Sequence, residues 1–371
     1  MTASTRVTLV HERFTEYAGS ERVVAALAQE WPDSPVLSPV VLPETLPPVL
    51  QGRVAPGALS RLVPSSGAYA HLLPLLPLAM RRLPVPPETD VVVASHHAFA
   101  SQVVHATSAP VVAYVHSPAR WVWDPALRSG EVGGWLGAAG LTAFAAAFRG
   151  PDRAAAARLR CVVANSTAVA ARVRDWWGLD AVVVPPPVDT QFYVPDPTVP
   201  REDFFLLAGR LVPYKQPALA ITAARRAGVR LVVAGDGRVR EECERLAGPE
   251  TTFLGRVDDQ TQRDLYRRCT ALLMPGVEDF GIVPVEAMAC GAPVLAVNAG
   301  GALDSVVPGV SGEIVDSAGR SPSEAVEVWA AALTGFDPGS FAPGVVRAHA
   351  ERFSAQAFRT AMAQVVRSAV A

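Results

Sequence analysis

Residues 271–294, ALLMPGVEDFGIVPVEAMACGAPV, join a short apolar run, an acidic loop that contains a glycine, and an apolar helical stretch. The run 271–274 has the composition of a strand buried on both faces of a sheet. We expect the helix to begin near Ile282, so that the amides of 280–283 lie at its N-terminus, where the helix dipole favours an anion such as a phosphate. Gly281 allows the backbone to approach such a ligand closely. This order of elements predicts an anion site at the end of a strand.

Two carboxylates accompany this loop. Glu278 lies in the loop, and Glu286 follows it by eight residues, one turn into the predicted helix. Because carboxylates accept hydrogen bonds from sugar hydroxyls, the two can contact two hydroxyl-bearing parts of one ligand. Glu286 taken alone fits a solvated surface residue equally well, whereas the complete string favours a ligand site.

The alternation of strands and helices extends over the chain on both sides of this stretch. The proline run 185–187 interrupts it, and residues 188–200, rich in Pro and Asp, are predicted to be the linker between two domains. Two such series predict an α/β fold of two Rossmann-like domains, whose parallel sheets face each other across a cleft and carry the chemistry at the carboxyl ends of their strands. We expect an N-terminal domain at 1–188, a second domain at 189–353, and a C-terminal helix at 354–371 that packs back on the first domain. The predicted strands are 6–11, 91–93, 111–115, 161–164, 181–184, 204–207, 231–234, 252–254, 271–274, 293–296 and 312–315, and the predicted helices are 20–30 (with Ser20 as N-cap), 141–148, 166–176, 217–227, 239–246, 260–269, 284–290 and 354–370.

Composition argues against several classes of function. The 371 residues carry a net charge of −2, which does not suit a nucleic-acid-binding surface. The four cysteines are scattered without metal-ligand spacing, so we expect neither a zinc site nor a disulfide framework, and a cytoplasmic location. The apolar stretch 7–10 is too short for a signal peptide. Residues 68–80 are too few to span a membrane, but with Arg81 and Arg82 they leave weak peripheral contact with its inner face open.

The string EDFGIVPVEAMACGAPV at 278–294 resembles the signature of glycosyltransferase family 4, the large group of retaining enzymes with GT-B architecture. The resemblance implies that Glu278 is catalytic and contacts the donor sugar nearest its anomeric carbon. It also implies that Glu286 holds the ribose hydroxyls of the donor. The implied ligands of the donor diphosphate are the amides of Phe280, Gly281 and Ile282.

Other segments of the second domain match the family in the same order. The segment GRLVPYK at 209–215 resembles the family's G-R-x-x-x-x-K loop, which implies that Arg210 and Lys215 neutralise the donor diphosphate as charge develops on the leaving group. Residues 253–257 resemble the strand end at which the backbone near Val257 reads the nucleotide base. The GDG turn at 235–237 and the glycine-rich loop at 298–304 match as well, and both also fit an architectural role.

The first domain resembles a narrower subgroup of bacterial mannosyltransferases and related hexosyltransferases. The subgroup's segment Y-x-H-[ST]-P-x-R-Y-x-W-D is similar to YVHSPARWVWD at 114–124. This resemblance implies that His116 is catalytic and faces the donor sugar, and that Arg120 and Asp124 lie on the acceptor side. Residues 74–80, 95–98 and 185–189 are similar to the same subgroup.

The segment AGSER at 18–22 also resembles the subgroup and implies that Gly19 approaches the donor diphosphate. Two departures stand out. Ala18 replaces an expected glycine, and Ser101-Gln102 replace an expected Lys-Gly pair. Because the second departure removes a positive charge, it leaves the acceptor type of the subgroup in question.

The resemblance implies transfer of a hexose, mannose or a related sugar, from a nucleoside diphosphate sugar such as GDP-mannose, with retention and without a metal or other cofactor. The acceptor hydroxyl belongs to a soluble natural product, an oligosaccharide or a lipid-linked glycan. Retention by double displacement needs a second carboxylate near the anomeric carbon. No residue stands out for that role, so we expect a front-face reaction in which the departing phosphate takes the acceptor proton.

Two alternatives remain. A GT-B epimerase or hydrolase would use the same donor site without glycosyl transfer, and a non-catalytic protein would only bind the sugar nucleotide. A dehydrogenase fits poorly, because no G-x-G-x-x-G follows the first predicted strand.

Overall fold

The computed structural model of the chain describes residues 5–54, 57–63, 72–125 and 134–371. It contains two compact units, a N-terminal unit of Met1–Pro187 with Phe358–Ala371 and a C-terminal unit of Val188–Ala357. Each unit has one six-stranded sheet whose strands alternate with helices along the chain. Within the described ranges, no helix is both long and apolar enough to cross a bilayer. Residues 68–71 of the apolar stretch 68–80 lie outside those ranges.

The parallel sheet of the N-terminal unit is built from short runs of apolar, largely β-branched residues. Its strands are β1 (Val7–His11), β2 (Val36–Leu37), β3 (Val91–His96), β4 (Val111–Val115), β5 (Cys161–Ala164) and β6 (Val182–Val183), in the order β2-β1-β3-β4-β5-β6. Strands β1, β3 and β4 are buried along their whole length, as expected where both faces of a parallel sheet are covered. The helices of this part of the chain are α1 (Gly19–Glu30), α2 (Leu76–Met80), α3 (Arg120–Trp123), α4 (Gly134–Ala156) and α5 (Thr167–Trp177).

The sheet of the C-terminal unit is also parallel. Its strands are β7 (Phe205–Ala208), β8 (Leu231–Ala234), β9 (Thr251–Gly255), β10 (Ala271–Met274), β11 (Val294–Val297) and β12 (Gly312–Val315), in the order β12-β11-β10-β7-β8-β9. This is the doubly wound order, in which the direction of winding reverses between β7 and β10. The loops that follow these two strands therefore lie at the switch point where such sheets bind ligands. The helices are α6 (Pro217–Ala227), α7 (Arg240–Leu246), α8 (Asp259–Arg268), α9 (Ile282–Ala289), α10 (Ala302–Ser305), α11 (Pro322–Thr334) and α12 (Pro343–Ala350).

The last helix, α13 (Ala355–Val370), carries an apolar stripe. Phe358, Met362, Val366 and Ala369 recur at helical spacing and are buried in the core beneath β1, β3 and β4 of the N-terminal unit. The ring of Phe358 meets that of Tyr114 edge-on, with 5.4 Å between the centroids.

Most of the predicted elements occur, and five strands (111–115, 161–164, 231–234, 271–274 and 312–315) and the helix 217–227 have the predicted bounds. The prediction that Ser20 caps α1 is wrong. Ala18 is the N-cap residue, and its amide donates to the Glu21 carboxylate, which occupies the capping position one turn into the helix. Helix α4 is longer than predicted and continues through Pro151. The two-residue strand β2 and the helices α2, α3, α10, α11 and α12 were not predicted.

Residues 188–200, the predicted linker, begin as part of the C-terminal unit. Val188 and Tyr193 are buried in the core of that unit. The Arg347 guanidinium donates to the carbonyl oxygens of Thr190 and Tyr193, at 2.9 Å in both cases. The proline-rich composition of residues 188–200 was therefore not sufficient to distinguish a linker from a segment that packs against a domain.

Candidate functional site

The loops at the carboxyl end of the C-terminal sheet touch one another through glycines. A Cβ atom on Gly235, after β8, would lie 1.9 Å from the carbonyl oxygen of Gly209, after β7. A Cβ atom on Gly301, after β11, would lie 2.2 Å from the Cα of Phe280, after β10. Only a residue without a side chain permits these approaches. The glycines of the family motifs therefore allow the loop after β7 to pack against the loop after β8, and the loop after β10 against the loop after β11.

Lys215 and Glu278 form an ion pair at the switch point. Lys215 Nζ lies 2.9 Å from Glu278 Oε1, and the two side chains are 17% and 22% exposed. Gly276 allows the backbone of the β10 loop to lie close to that of Lys215, because a Cβ atom on Gly276 would lie 2.3 Å from the Cα of Lys215. A cavity of about 20 Å³, sufficient for one water molecule, is lined by both side chains. The cation predicted to bind the diphosphate and the carboxylate predicted to bind the sugar are thus neighbours.

Helix α9 begins at the predicted place, directly after this pair. Gly281 precedes it with φ 87° and ψ 90°, a conformation that a residue with a Cβ atom rarely adopts. Phe280 is 3% exposed, and its ring packs against that of Phe353 with 5.6 Å between centroids. Within the described part of the chain, the backbone amides of Phe280, Gly281 and Ile282 have no hydrogen-bond acceptor. They are therefore available to an anion at the start of the helix.

Glu286 is buried one turn into α9 and is 5% exposed. Its Oε2 accepts a hydrogen bond of 3.1 Å from the Tyr266 hydroxyl. Burial raises the pKa of Tyr266 well above its usual value, so this hydroxyl keeps its proton and remains a donor. The bond orients the carboxylate, and Tyr266 was not among the residues predicted for the site.

The remaining two predicted donor residues lie at the edges of this region. Arg210 follows β7 and is exposed, and its guanidinium has no ion-pair or hydrogen-bond partner among the described residues. Val257 follows β9, is half-buried and packs against the core of the C-terminal unit.

In the N-terminal unit, four histidines lie at the carboxyl ends of β1, β3 and β4. We call His11, His96, His97 and His116 the histidine cluster. The rings of His97 and His116 stack with 4.4 Å between centroids and an interplanar angle of 14°. Burial lowers the pKa of His116 to about 3 and that of His96 to about 4. Both rings are therefore neutral near pH 7.

A buried carboxylate holds the loop that carries two of these histidines. Glu12 is 2% exposed, and its Oε1 accepts hydrogen bonds of 2.6–2.9 Å from four consecutive amides. Burial raises the pKa of Glu12, but its interaction with His96 and these amide bonds outweigh burial and lower the pKa below its usual value. The donors are the amides of His97, Ala98, Phe99 and Ala100.

The other predicted residues of the N-terminal unit lie in or next to its helices. Gly19 is the first residue of α1. Arg120 begins α3 and Asp124 follows it, and both are half-buried. The helix is fixed through Trp123, whose indole Nε1 donates to Asp152 Oδ2 at 2.8 Å.

Asp152 was not predicted from the sequence. It is fully buried in α4, and its Oδ2 also accepts a hydrogen bond of 2.8 Å from the Trp177 indole. Burial raises the pKa of Asp152 to about 6, although the two indole N–H groups act in the opposite direction. The substituted pair Ser101-Gln102 is buried as well, and Gln102 links Arg81 to the carbonyl oxygen of Pro151.

No group of three His, Cys, Asp or Glu side chains in the described ranges is arranged to hold a metal ion. His11, Ser95 and His96 did offer a signal that the sequence interpretation did not use. Each is a polar residue at the carboxyl end of a buried apolar strand, the position at which parallel sheets carry their ligand-binding groups.

The chain is similar to known proteins over most of its length. The family model "Glycosyltransferase Family 4" matches residues 17–192, and "Glycosyl transferases group 1" matches residues 194–335. A D-inositol 3-phosphate glycosyltransferase from Geodermatophilus obscurus is 34% identical over 195 residues, which are 44% of this chain and 43% of that protein. Its namesake from Mycobacterium marinum is 35% identical over 151 residues, 37% of this chain and 30% of that protein. The chain thus matches less than half the length of these curated relatives.

Solved structures share the fold over nearly the whole chain. Anabaena HepE in complex with UDP-glucose has a TM-score of 0.67 and 20% identity, with 98% of this chain and 99% of that chain covered. Sucrose-phosphate synthase from Thermosynechococcus elongatus has a TM-score of 0.73 and 17% identity, with 98% of both chains covered. Together, the two matched family models and this shared architecture show that the chain belongs to glycosyltransferase family 4 and has the GT-B fold.

Proposed function

We propose that the protein transfers a hexose from a nucleoside diphosphate sugar to an acceptor hydroxyl, with retention at the anomeric carbon. The observation that carries this proposal is the Lys215–Glu278 pair, 2.9 Å apart, beside the unpartnered amides at the start of α9. A diphosphate requires a cation and N–H donors, and a sugar requires a carboxylate that accepts from its hydroxyls. All three lie at the switch point of one sheet.

In this proposal, Lys215 leaves Glu278 when the donor binds and turns to the diphosphate. Arg210, whose guanidinium has no partner among the described residues, adds a second positive charge. The charges and amides stabilise the leaving nucleoside diphosphate as its bond to the sugar breaks. The departing phosphate oxygen then takes the proton of the acceptor hydroxyl on the same face. Because these groups neutralise the diphosphate, we expect transfer to persist in the presence of EDTA.

The sugar and the base of the donor follow from different observations. The subgroup resemblance around His116 favours GDP-mannose. A UDP-hexose is the second candidate, because HepE, which shares the fold, is in complex with UDP-glucose. The names of the curated relatives make a phosphorylated cyclitol such as D-inositol 3-phosphate one acceptor to test.

The test is a transfer assay with GDP-, UDP- and dTDP-hexoses against a panel of hydroxyl acceptors, with the anomeric configuration of the product read by NMR. We expect a product of retained configuration, and loss of transfer in Glu278→Ala. Glu327→Ala is the control, because Glu327 lies on α11 in an exposed ion pair with Arg226. Unchanged transfer by Glu278→Ala would remove Glu278 from the mechanism. Hydrolysis or epimerisation of the donor without transfer would favour a GT-B hydrolase or epimerase. Binding of the donor without any reaction would favour a non-catalytic sugar-nucleotide-binding protein.

A lipid-linked acceptor would bring the protein to a membrane surface, on the cytoplasmic side that the four free cysteines suit. Leu75 and Leu78, at the start of α2, are each 45% exposed and would supply apolar contact. Flotation with anionic vesicles at low salt tests this part of the proposal. Association would support a lipid-linked acceptor, and its absence would confine the acceptor to soluble molecules.

A further inference from the structure

Three buried residues and the half-buried His116 form one chain of hydrogen bonds in the N-terminal unit. Glu21 Oε1 lies 3.3 Å from His11 Nε2, and His11 Nδ1 lies 3.1 Å from Ser95 Oγ. Ser95 Oγ in turn lies 2.8 Å from His116 Nε2. Glu21, His11 and Ser95 are 3%, 0% and 1% exposed, so water does not compete for these bonds.

We infer that Ser95 is a positioning residue which, with Glu21 and His11, holds His116 in the tautomer protonated on Nε2. The inference extends the proposed function. It gives His116 a fixed polarity toward the substrate, because the ring nitrogen not bonded to Ser95, Nδ1, then carries a lone pair.

The direction of the bonds starts at Glu21. Burial raises the pKa of Glu21, but the hydrogen bonds from His11 and from the amide of Ala18 outweigh burial and hold the pKa at about 2. The carboxylate is therefore ionised and only accepts hydrogen bonds, so the proton in the first bond belongs to His11 Nε2.

The remaining protons follow from valence. In the state we infer, His11 carries one ring proton, so its Nδ1 accepts and the Ser95 hydroxyl donates its single proton to it. Ser95 Oγ can then only accept from His116, and His116 Nε2 must carry the ring proton. His116 is neutral near pH 7, so its Nδ1 is left as an acceptor. A second proton on His11 would reverse both bonds and place the His116 proton on Nδ1, the result that the spectra below would read as a contradiction.

The ring of His116 is also held in place. It stacks on His97, and the edge of Tyr114 packs against it with 5.2 Å between centroids. The Asn165 side-chain amide donates to the carbonyl oxygen of His116 at 3.0 Å. A fixed acceptor favours a sugar hydroxyl and repels a carboxylate at the same position.

Glu21→Gln is expected to reverse every bond. The amide of Ala18 donates to Glu21 Oε2 at 3.0 Å, so a glutamine at this position places its oxygen there and its NH₂ toward His11. That NH₂ donates to His11 Nε2, which moves the His11 proton to Nδ1, turns the Ser95 hydroxyl toward His116 and moves the His116 proton to Nδ1.

The test uses the full chain labelled with ¹⁵N-histidine, and His116→Asn assigns the His116 signals. Long-range ¹H–¹⁵N spectra near pH 7 report which ring nitrogen carries the proton. We expect Nε2–H in the wild type, a mixture of tautomers in Ser95→Ala, and Nδ1–H in Glu21→Gln. Ser101→Ala is the matched control, because Ser101 is fully buried and its hydroxyl has no hydrogen-bond partner among the described residues.

A wild-type His116 protonated on Nδ1, or ¹⁵N shifts that do not change in Ser95→Ala and Glu21→Gln, would overturn the inference. If Ser95→Ala does not fold, Glu21→Gln and the wild type still decide it. These spectra need no substrate, so the proposed function can fail while the tautomer assignment holds, and the reverse. With a neutral-hexose donor, we expect Glu21→Gln to bind roughly tenfold more weakly; unchanged binding would show that His116 Nδ1 does not contact the sugar.

Discussion

The carboxyl ends of the two sheets carry polar groups of different kinds. At the end of the N-terminal sheet, His11, Ser95 and Glu12 are almost fully buried and bonded to one another or to backbone amides. At the end of the C-terminal sheet, Lys215 and Glu278 form a partly exposed ion pair, and glycine backbones make the contacts between loops.

Because of this difference in burial, the two sheet ends are expected to contribute differently to the stability of the protein. Buried polar groups cost several kcal/mol when they lose a partner, whereas an ion pair near the surface contributes about 0–1 kcal/mol. Substitutions at the end of the N-terminal sheet should therefore lower stability before they alter activity. Substitutions of the Lys215–Glu278 pair should lower activity and leave stability nearly unchanged.

Glu12→Ala should have the largest effect. It removes the acceptor of four buried amides, and we expect the free energy of unfolding to fall by roughly 4 kcal/mol. Urea denaturation followed by tryptophan fluorescence measures the change. Glu16→Ala, at an exposed position in the same segment, should leave the midpoint unchanged. Equal midpoints for both variants would show that the amide cage does not stabilise the N-terminal unit.

Lys215→Ala tests the other side of the comparison. Loss of the cation at the leaving group should lower kcat/KM roughly 300-fold, which corresponds to about 3.4 kcal/mol. The urea midpoint should shift little. Arg226→Ala, which breaks the exposed pair with Glu327, is the control and should retain full activity. A large loss of stability in Lys215→Ala would contradict the claim that the Lys215–Glu278 pair, unlike the buried groups of the N-terminal sheet, contributes little to stability.

Asp152→Asn should change how stability depends on pH. The folded-state pKa of about 6 is above the ordinary value of 3.8. The contribution of Asp152 to stability is therefore complete below pH 3.8 and is lost as the pH rises through 6. The shift of about two units corresponds to roughly 3 kcal/mol. Urea melts at several pH values between 4 and 7.5 measure it.

Relative to the wild type, the Asp152→Asn variant should gain stability as the pH rises from 4 to about 6, and the difference should then level off as Asp152 becomes fully ionised. Asp180→Asn, in an exposed pair with Arg174, should follow the wild type. A difference between Asp152→Asn and the wild type that is independent of pH would contradict the raised pKa.

Gly301→Ala should have the smallest effect. Its Cβ atom would lie 2.2 Å from the Cα of Phe280, so the loop that precedes α9 must shift. We expect the Kd of the donor to rise about tenfold, or about 1.4 kcal/mol, in isothermal calorimetry. Gly344→Ala, whose Cβ atom would have no neighbour within 4 Å, should bind like the wild type. Equal affinities would mean that the glycine contact does not position the binding amides.

The two regions also differed in how far the sequence predicted them. Glu278, Gly281 and Glu286 lie within nine consecutive residues, and local order alone placed them on a loop and a helix start. The chain from Glu21 to His116 joins four separate segments, and only the register of β1, β3 and β4 brings them together. Segments 18–22 and 95–98 were noted for their resemblance, but neither Glu21 nor Ser95 received a role.

Other failures have the same physical origin. Asp152 lies in α4, and its importance depends on indoles from two other helices. Tyr266 is buried beside Glu286 although the two are 20 residues apart in sequence. Ser20 has the right side chain for a cap, but Glu21 was already placed to accept the Ala18 amide. Each of these contacts depends on tertiary packing, which a local pattern does not contain.

The central claim is that the loops around Lys215 bind a nucleoside diphosphate sugar. Calorimetric titration of the full chain with GDP-mannose, UDP-glucose and dTDP-glucose tests it most directly. The account predicts saturable binding of at least one of these donors at one site per chain, and at least tenfold weaker binding in Lys215→Ala than in Arg226→Ala. Absence of binding for all three donors, or equal affinity in the two variants, would contradict it.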